Sequence, residues 1–299
     1  MDEDDDSFLS EETVKKVLSG GEISFDELSA EEKKQFRRAV ASGQLGRLIE
    51  PWEPWWLKTS AKTISLGKDG TQLVQPISEQ DMPSPSEIPA GPPTPLPTLR
   101  NLASTEPSPL LAIHLLDILY SYCFTLRIYN GDWSSDAGGS AMVVLSVSSV
   151  LGQAGQPETV MESLSYNLAQ TCSPDFKHMG GLQFGLRIVD DVIHLLSLGS
   201  AALICSLCDL QRLVQAGERE LKAEKPKTSR RSEIRNKMKL ADRKFYFMMC
   251  WVHEQPGEVW ASLAALVEVE RRSLTDSLES KTAKNKVETK GKVIIEEVE

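Results

Sequence analysis

The stretch Pro109-Leu110-Leu111-Ala112-Ile113-His114-Leu115-Leu116-Asp117-Ile118-Leu119-Tyr120-Ser121-Tyr122-Cys123-Phe124-Thr125-Leu126-Arg127-Ile128-Tyr129 decides the fold class. After its first proline it holds no glycine or proline, and apolar residues fall on every face of a helix drawn through it. Such a run is either a membrane span or a helix surrounded by other helices. His114, Asp117 and Arg127 would be poorly tolerated in a single span, so it reads as a core helix. Val192 to Cys208 carries no Asp, Glu, Lys or Arg. It is short for a span and includes His194 and Gly199, so a buried helix or helix pair is the better reading. No transmembrane segment is expected.

Working outward, residues 109–278 read as helices throughout, over 109–129, 140–152, 158–171, 182–198, 200–216, a charged one near 229–252, and 257–278. Turn chemistry separates them: Asn130-Gly131-Asp132, Gly152 to Pro157, Ser173-Pro174, Gly180-Gly181, Gly199, Lys225-Pro226 and Gln255-Pro256-Gly257. Helices joined by short loops, some apolar all round, predict a mainly α fold, either a helical array or an irregular helical bundle. No repeating signature distinguishes the two.

Upstream, residues 1–9 form an acidic tail expected to be disordered. Ser10 with Glu11 and Glu12 starts one helix that Gly20-Gly21 stops. The capping box Ser29-x-x-Glu32 starts another that ends at Gly43. Next comes Leu48-Ile49-Glu50-Pro51-Trp52-Glu53-Pro54-Trp55-Trp56, with three of the six tryptophans of the chain. Its prolines exclude a regular helix or central strand, so large indole surfaces are expected on an extended backbone. They dock either on the chain's own core, the plainer reading, or on a partner, which makes Pro51, Trp52, Pro54, Trp55 and Trp56 candidate partner-binding residues. Thr63 to Leu66 and Thr71 to Val74, flanking Lys68-Asp69-Gly70, predict a small hairpin. Between Pro76 and Pro109 lie ten of the sixteen prolines, as in a semi-rigid linker. The organisation expected is thus a tail over 1–9, a small helical region with Trp-rich arm and hairpin over 10–75, a linker over 76–108, a helical domain over 109–278 and a charged tail over 279–299.

Composition narrows function. The formal net charge of −10 argues against general nucleic-acid affinity. Five cysteines, mostly inside apolar runs, read as reduced thiols of an intracellular protein, and the acidic start is unlike a signal or transit peptide. Cys205-x-x-Cys208 lacks a second pair at zinc spacing, so no metal or other cofactor is expected. Asp190 and His194, one turn apart, come without a nucleophile, and no phosphate-binding glycine loop occurs, so no enzyme activity is expected. One segment departs from the acidic balance: residues 219–244 hold eleven Lys or Arg against four acids and run into Phe245-Tyr246-Phe247. Arg230, Arg231, Arg235, Lys237, Lys239, Arg243 and Lys244 form a candidate patch for an acidic protein partner or, as the rival reading, for direct RNA binding over 219–247. The end of the chain, Glu296-Glu297-Val298-Glu299, resembles the acidic tail by which heat-shock chaperones enter tetratricopeptide-repeat domains; a plain tail or edge strand is the simpler reading.

With those residues read, Leu28-Ser29-Ala30-Glu31-Glu32-Lys33-Lys34-Gln35-Phe36-Arg37-Arg38-Ala39-Val40-Ala41-Ser42-Gly43 through Trp56, followed by Leu57 to Pro76 and Leu110 to Trp133, resembles the zinc finger HIT domain-containing protein 2 family, its plant members above all. The resemblance implies a non-enzymatic adaptor working with RuvB-like AAA+ ATPases and their chaperone-linked complex in spliceosomal ribonucleoprotein assembly, in nucleus and cytoplasm. The Cys/His finger of that family has no counterpart before Met1-Asp2-Glu3, so no zinc ligands carry over.

Overall fold

The computed structural model describes residues 52–72, 88–223 and 229–290 together with Ser29, with side chains described as far as residue 276. The chain divides into two units, Met1–Trp52 and Glu53–Glu299. Only Ser29 and Trp52 of the first are described, so the fold below is that of the second. The two N-terminal helices expected at 10–20 and 29–43, the linker over 76–87 and the last nine residues lie outside the described residues.

The second unit is an α-helical array. Its helices are α1 (Leu99–Leu102), α2 (Leu111–Ile128), α3 (Ala137–Val147), α4 (Ser149–Gly152), α5 (Val160–Thr171), α6 (Gly181–Ser197), α7 (Ser200–Ala223), α8 (Ser229–Glu254) and α9 (Glu258–Lys290). Helix α2 is the axis of the core, with every residue from His114 to Leu126 buried. It is apolar all round because α3, α5 and α6 pack about it, with α4 and α7 closing the remaining sides. Among the described residues it alone is long and apolar enough to cross a membrane, and its window is mostly buried inside the protein.

Helices α7 and α8 pair antiparallel: Cys208 faces Met249, Gln215 faces Asp242 and Glu218 faces Arg235. Helix α9 lies on α6, where Asp190 and Arg271 pair. Gly199, at φ +82°, turns α6 into α7, as its place in the sequence predicts. Helix α3 crosses α7 so closely that a Cβ on Gly217 would stand 2.7 Å from the Ala137 carbonyl oxygen.

Several expectations need correction. The single helix over 140–152 is broken at Ser148, which leaves the helical region (φ −82°, ψ 122°) and caps α4 by accepting from the Leu151 N–H at 3.0 Å. The Trp-rich segment is not extended throughout: 3₁₀ turns run over Trp55–Leu57 and Thr59–Thr63, immediately after Pro54 fixes the entry. Among the described residues the hairpin reduces to one antiparallel bridge, Leu66 to Gln72, around a loop tightened by Thr71 on Asp69. Residues 88–103 are not a free spacer. Their backbone is fixed by Gly91 N–H to Gln72 (2.8 Å), Leu96 N–H to the Asp69 carbonyl (2.9 Å), Arg212 to the Ala90 carbonyl (2.7 Å) and Leu99 N–H to Glu254 (2.8 Å). Pro92, Leu96 and Leu99 of this strap are buried. Helices α7 and α9 outrun the expected 200–216 and 257–278 because charged turns carry them past the apolar pattern.

Candidate functional site

The tryptophans come first, because they dominate the sequence. Trp55 and Trp56 are each 2% exposed and meet edge to face with centroids 5.7 Å apart. Each indole N–H has a buried acceptor. Trp55 donates to Tyr122 Oη at 3.1 Å, and Tyr122 donates on to Asp209 Oδ2 at 3.0 Å, while Trp133 Nε1 donates to Asp209 Oδ1 at 3.3 Å. Trp56 donates to Asp191 Oδ1 at 3.0 Å, and Arg127 grips the same carboxylate with two bonds of 2.7 and 2.8 Å. Burial holds the Asp209 carboxyl above the usual range and pushes the Tyr122 phenol well up. These residues therefore wedge Glu53–Leu57 into the chain's own core, the plainer of the two sequence readings. Trp55, Trp56 and the buried Pro54 offer no surface to a partner, which corrects their assignment as partner-binding. Trp52 falls in the first unit and Pro51 outside the described residues.

The candidates for chemistry do not converge. Cys205 and Cys208 sit mid-helix on α7, their thiols raised by burial to about 11 and about 12, and Cys208 points at Met249 Sδ, 3.1 Å away. Among the described residues no three His, Cys, Asp or Glu gather as metal ligands. His194 Nδ1 lies 2.7 Å from the backbone oxygen of Asp190, whose carboxylate instead takes Arg271 of α9 at 2.8 Å. The i, i+4 spacing does not make them an acid–base pair.

Three residues of the basic segment pair with neighbouring acids. Arg235 and Lys239 both pair with Glu218 of α7, at 3.0 and 3.6 Å, and Lys237 pairs with Glu233 at 3.5 Å. Arg231 also has a partner, whereas Arg230 and Arg243 are exposed. Lys244 is different. It is half-buried and lines a cleft of about 480 Å³ together with Val150, Leu151, Gln153–Gln156, Leu240 and Ala241.

Behind this cleft stands a carboxylate that the sequence marks only as an obstacle to a membrane span. Asp117 is fully buried. It accepts from the Ser148 hydroxyl, the Ser149 N–H (3.1 Å) and hydroxyl (3.0 Å), the Val150 N–H (3.2 Å) and Asn167 Nδ2 (3.2 Å). Those bonds fix the Ser148 break and aim α4 at α8, which sets the floor of the cleft. The signal for it was legible: a charge inside an all-apolar helix has to be paired. Asp191 and Asp209 follow the same rule.

These helices from α2 to α7, entered through the strap, fall in a stretch where a family model is similar to this chain. Residues 95–221 match the family model described as SHQ1 protein, Shq1 domain. That family is one of assembly chaperones. The match overturns the resemblance to the zinc finger HIT domain-containing protein 2 family, whose marker, the EPWEPWW string, lies outside 95–221. Two of the tryptophans that carried it, Trp55 and Trp56, are explained by the sockets they fill. No solved structure matches the chain. The match supports the coarser expectation of an adaptor or assembly factor with protein partners.

Proposed function

We propose that this protein is a non-enzymatic assembly factor for ribonucleoproteins of the H/ACA class, holding a protein component of the particle until assembly is complete. The observation that carries this is the Shq1-domain match over 95–221, whose family serves assembly of H/ACA ribonucleoproteins. The pairing of Arg235, Lys237 and Lys239 with Glu218 and Glu233 favours protein rather than RNA as the direct partner. The spliceosomal particles and RuvB-like ATPases implied by the earlier resemblance lose the family argument that introduced them. Work on clients of this kind would be done in nucleus and cytoplasm.

The test is affinity purification of the full chain from nuclease-treated and untreated extract. H/ACA core proteins should co-purify equally in both. Capture of spliceosomal proteins alone, or loss of all partners after nuclease, would contradict the proposal.

A further inference from the structure

We propose that the cleft between the α4–α5 loop and α8 is a docking site for an extended peptide of a protein partner, one that places a carboxylate next to an aliphatic side chain. This deepens the reading above by stating the chemistry of the partner, and it rests on that reading.

The charge argument comes from Lys244. Its one charged influence from an acid is the field of Asp117, and that carboxylate is already filled by Ser148, Ser149, Val150 and Asn167. Among the described residues no acid lies within ion-pair distance of the ammonium. A half-buried cation without a partner is costly, and burial lowers its pKa accordingly. The lysine makes this end of the cleft complementary to an anion.

The remaining lining selects the rest of the ligand. Val150, Leu151 and Ala241 form a buried aliphatic floor, and Leu240 stands 47% exposed at the rim. An aliphatic side chain covers that surface. Ala154 lets a backbone approach closely, as does Gly155, where nothing lies within 4 Å of the position a Cβ would take. Gln153 and Gln156 supply amides of the kind that bond a peptide main chain. A nucleic-acid strand would meet one ammonium and an aliphatic rim, too little for its phosphates.

The probe is the tetrapeptide Ac-Ala-Leu-Glu-Ala-NH2, with its Leu-Gln counterpart as control, titrated into the methyl- and amide-labelled full chain by NMR. The glutamate peptide should shift Val150, Leu151, Ala154, Leu240 and Ala241 and bind about tenfold tighter than the glutamine peptide, as a charge-assisted bond requires. Lys244→Met should abolish the difference and Lys244→Arg keep it. Leu240→Glu, on the exposed rim, should weaken the glutamate peptide specifically. Equal affinity for both peptides, shifts confined to other surfaces, no shifts at millimolar peptide, or the same shifts with an A8 RNA oligomer would each overturn the proposal. Since no particle is assembled in this experiment, its failure would leave the assembly role standing.

Discussion

Trp56 donates its indole N–H to the Asp191 carboxylate at 3.0 Å, across 135 residues of sequence. The bond joins the segment after Pro54 to α6, and Arg127 of α2 closes on the same acid. Three distant stretches thereby share one buried carboxylate. A charge 3% exposed is stable there only because each of its oxygens is filled.

Removal of the indole should therefore be felt by the whole fold. Trp56→Ala is expected to cost about 3–5 kcal/mol, read as a lowered urea midpoint. Trp56→Phe keeps most of the volume and loses the bond. A double-mutant cycle of Trp56→Phe with Asp191→Asn should give a coupling of about 1 kcal/mol. Strict additivity would show that the bond does not couple the two residues.

The crossing of α3 and α7 makes an equally definite demand. At Gly217 a new Cβ would meet both the Ala137 backbone oxygen and the Ala141 Cβ at 2.7 Å, and backbone cannot step aside as a side chain can. Gly217→Val should destabilise by about 1–3 kcal/mol, visible as a lower melting temperature. Gly257→Ala, where nothing lies within 4 Å, should leave it nearly unchanged.

Burial, followed by the charge of Lys244, holds the His114 pKa below the usual value of 6.5. The unfolded chain therefore takes up this proton first, and the unfolded state gains as pH falls. The His114 contribution is present in full above about pH 6.5 and is lost as pH drops below it towards the folded value. Urea midpoints at pH 7.5 and 5.5 should differ more for the native chain than for His114→Gln. An equal pH dependence in both would remove His114 from the account.

The strap over 88–103 should be held by its buried side chains. Arg100 is exposed on α1, but Leu99 beside it is 7% exposed and its N–H is fixed to Glu254. Tryptic cleavage after Arg100 should be slow in the native protein and several times faster in Leu99→Ala, because local release then costs less. Rapid cleavage of both would show the strap to be loosely held.

Much of this fold was legible because its periodicity is strong. The core helix at 109–129, its neighbours at 158–171 and 182–198, and the turn at Gly199 follow from apolar pattern and turn residues alone. The break at Ser148 was not, because it depends on a carboxylate 31 residues away that no local pattern announces. The docking of the proline-rich strap escapes the sequence for a related reason: composition reports stiffness, whereas docking depends on Leu96, Leu99 and the partners they meet. The sequence leaves both outcomes open for Trp55 and Trp56, and packing decides between them. At the candidate site the basic residues were visible in sequence. Which of them pair with an acid was not, since Glu218 and Glu233 settle that only in three dimensions.

The most direct test of the assembly role is to deplete this protein in its own cells and quantify stable RNAs by class. H/ACA RNAs and their core proteins should fall together while spliceosomal RNAs hold steady, and the full-length chain should restore them. Unchanged H/ACA RNAs, or a selective loss of spliceosomal RNAs, would contradict the account.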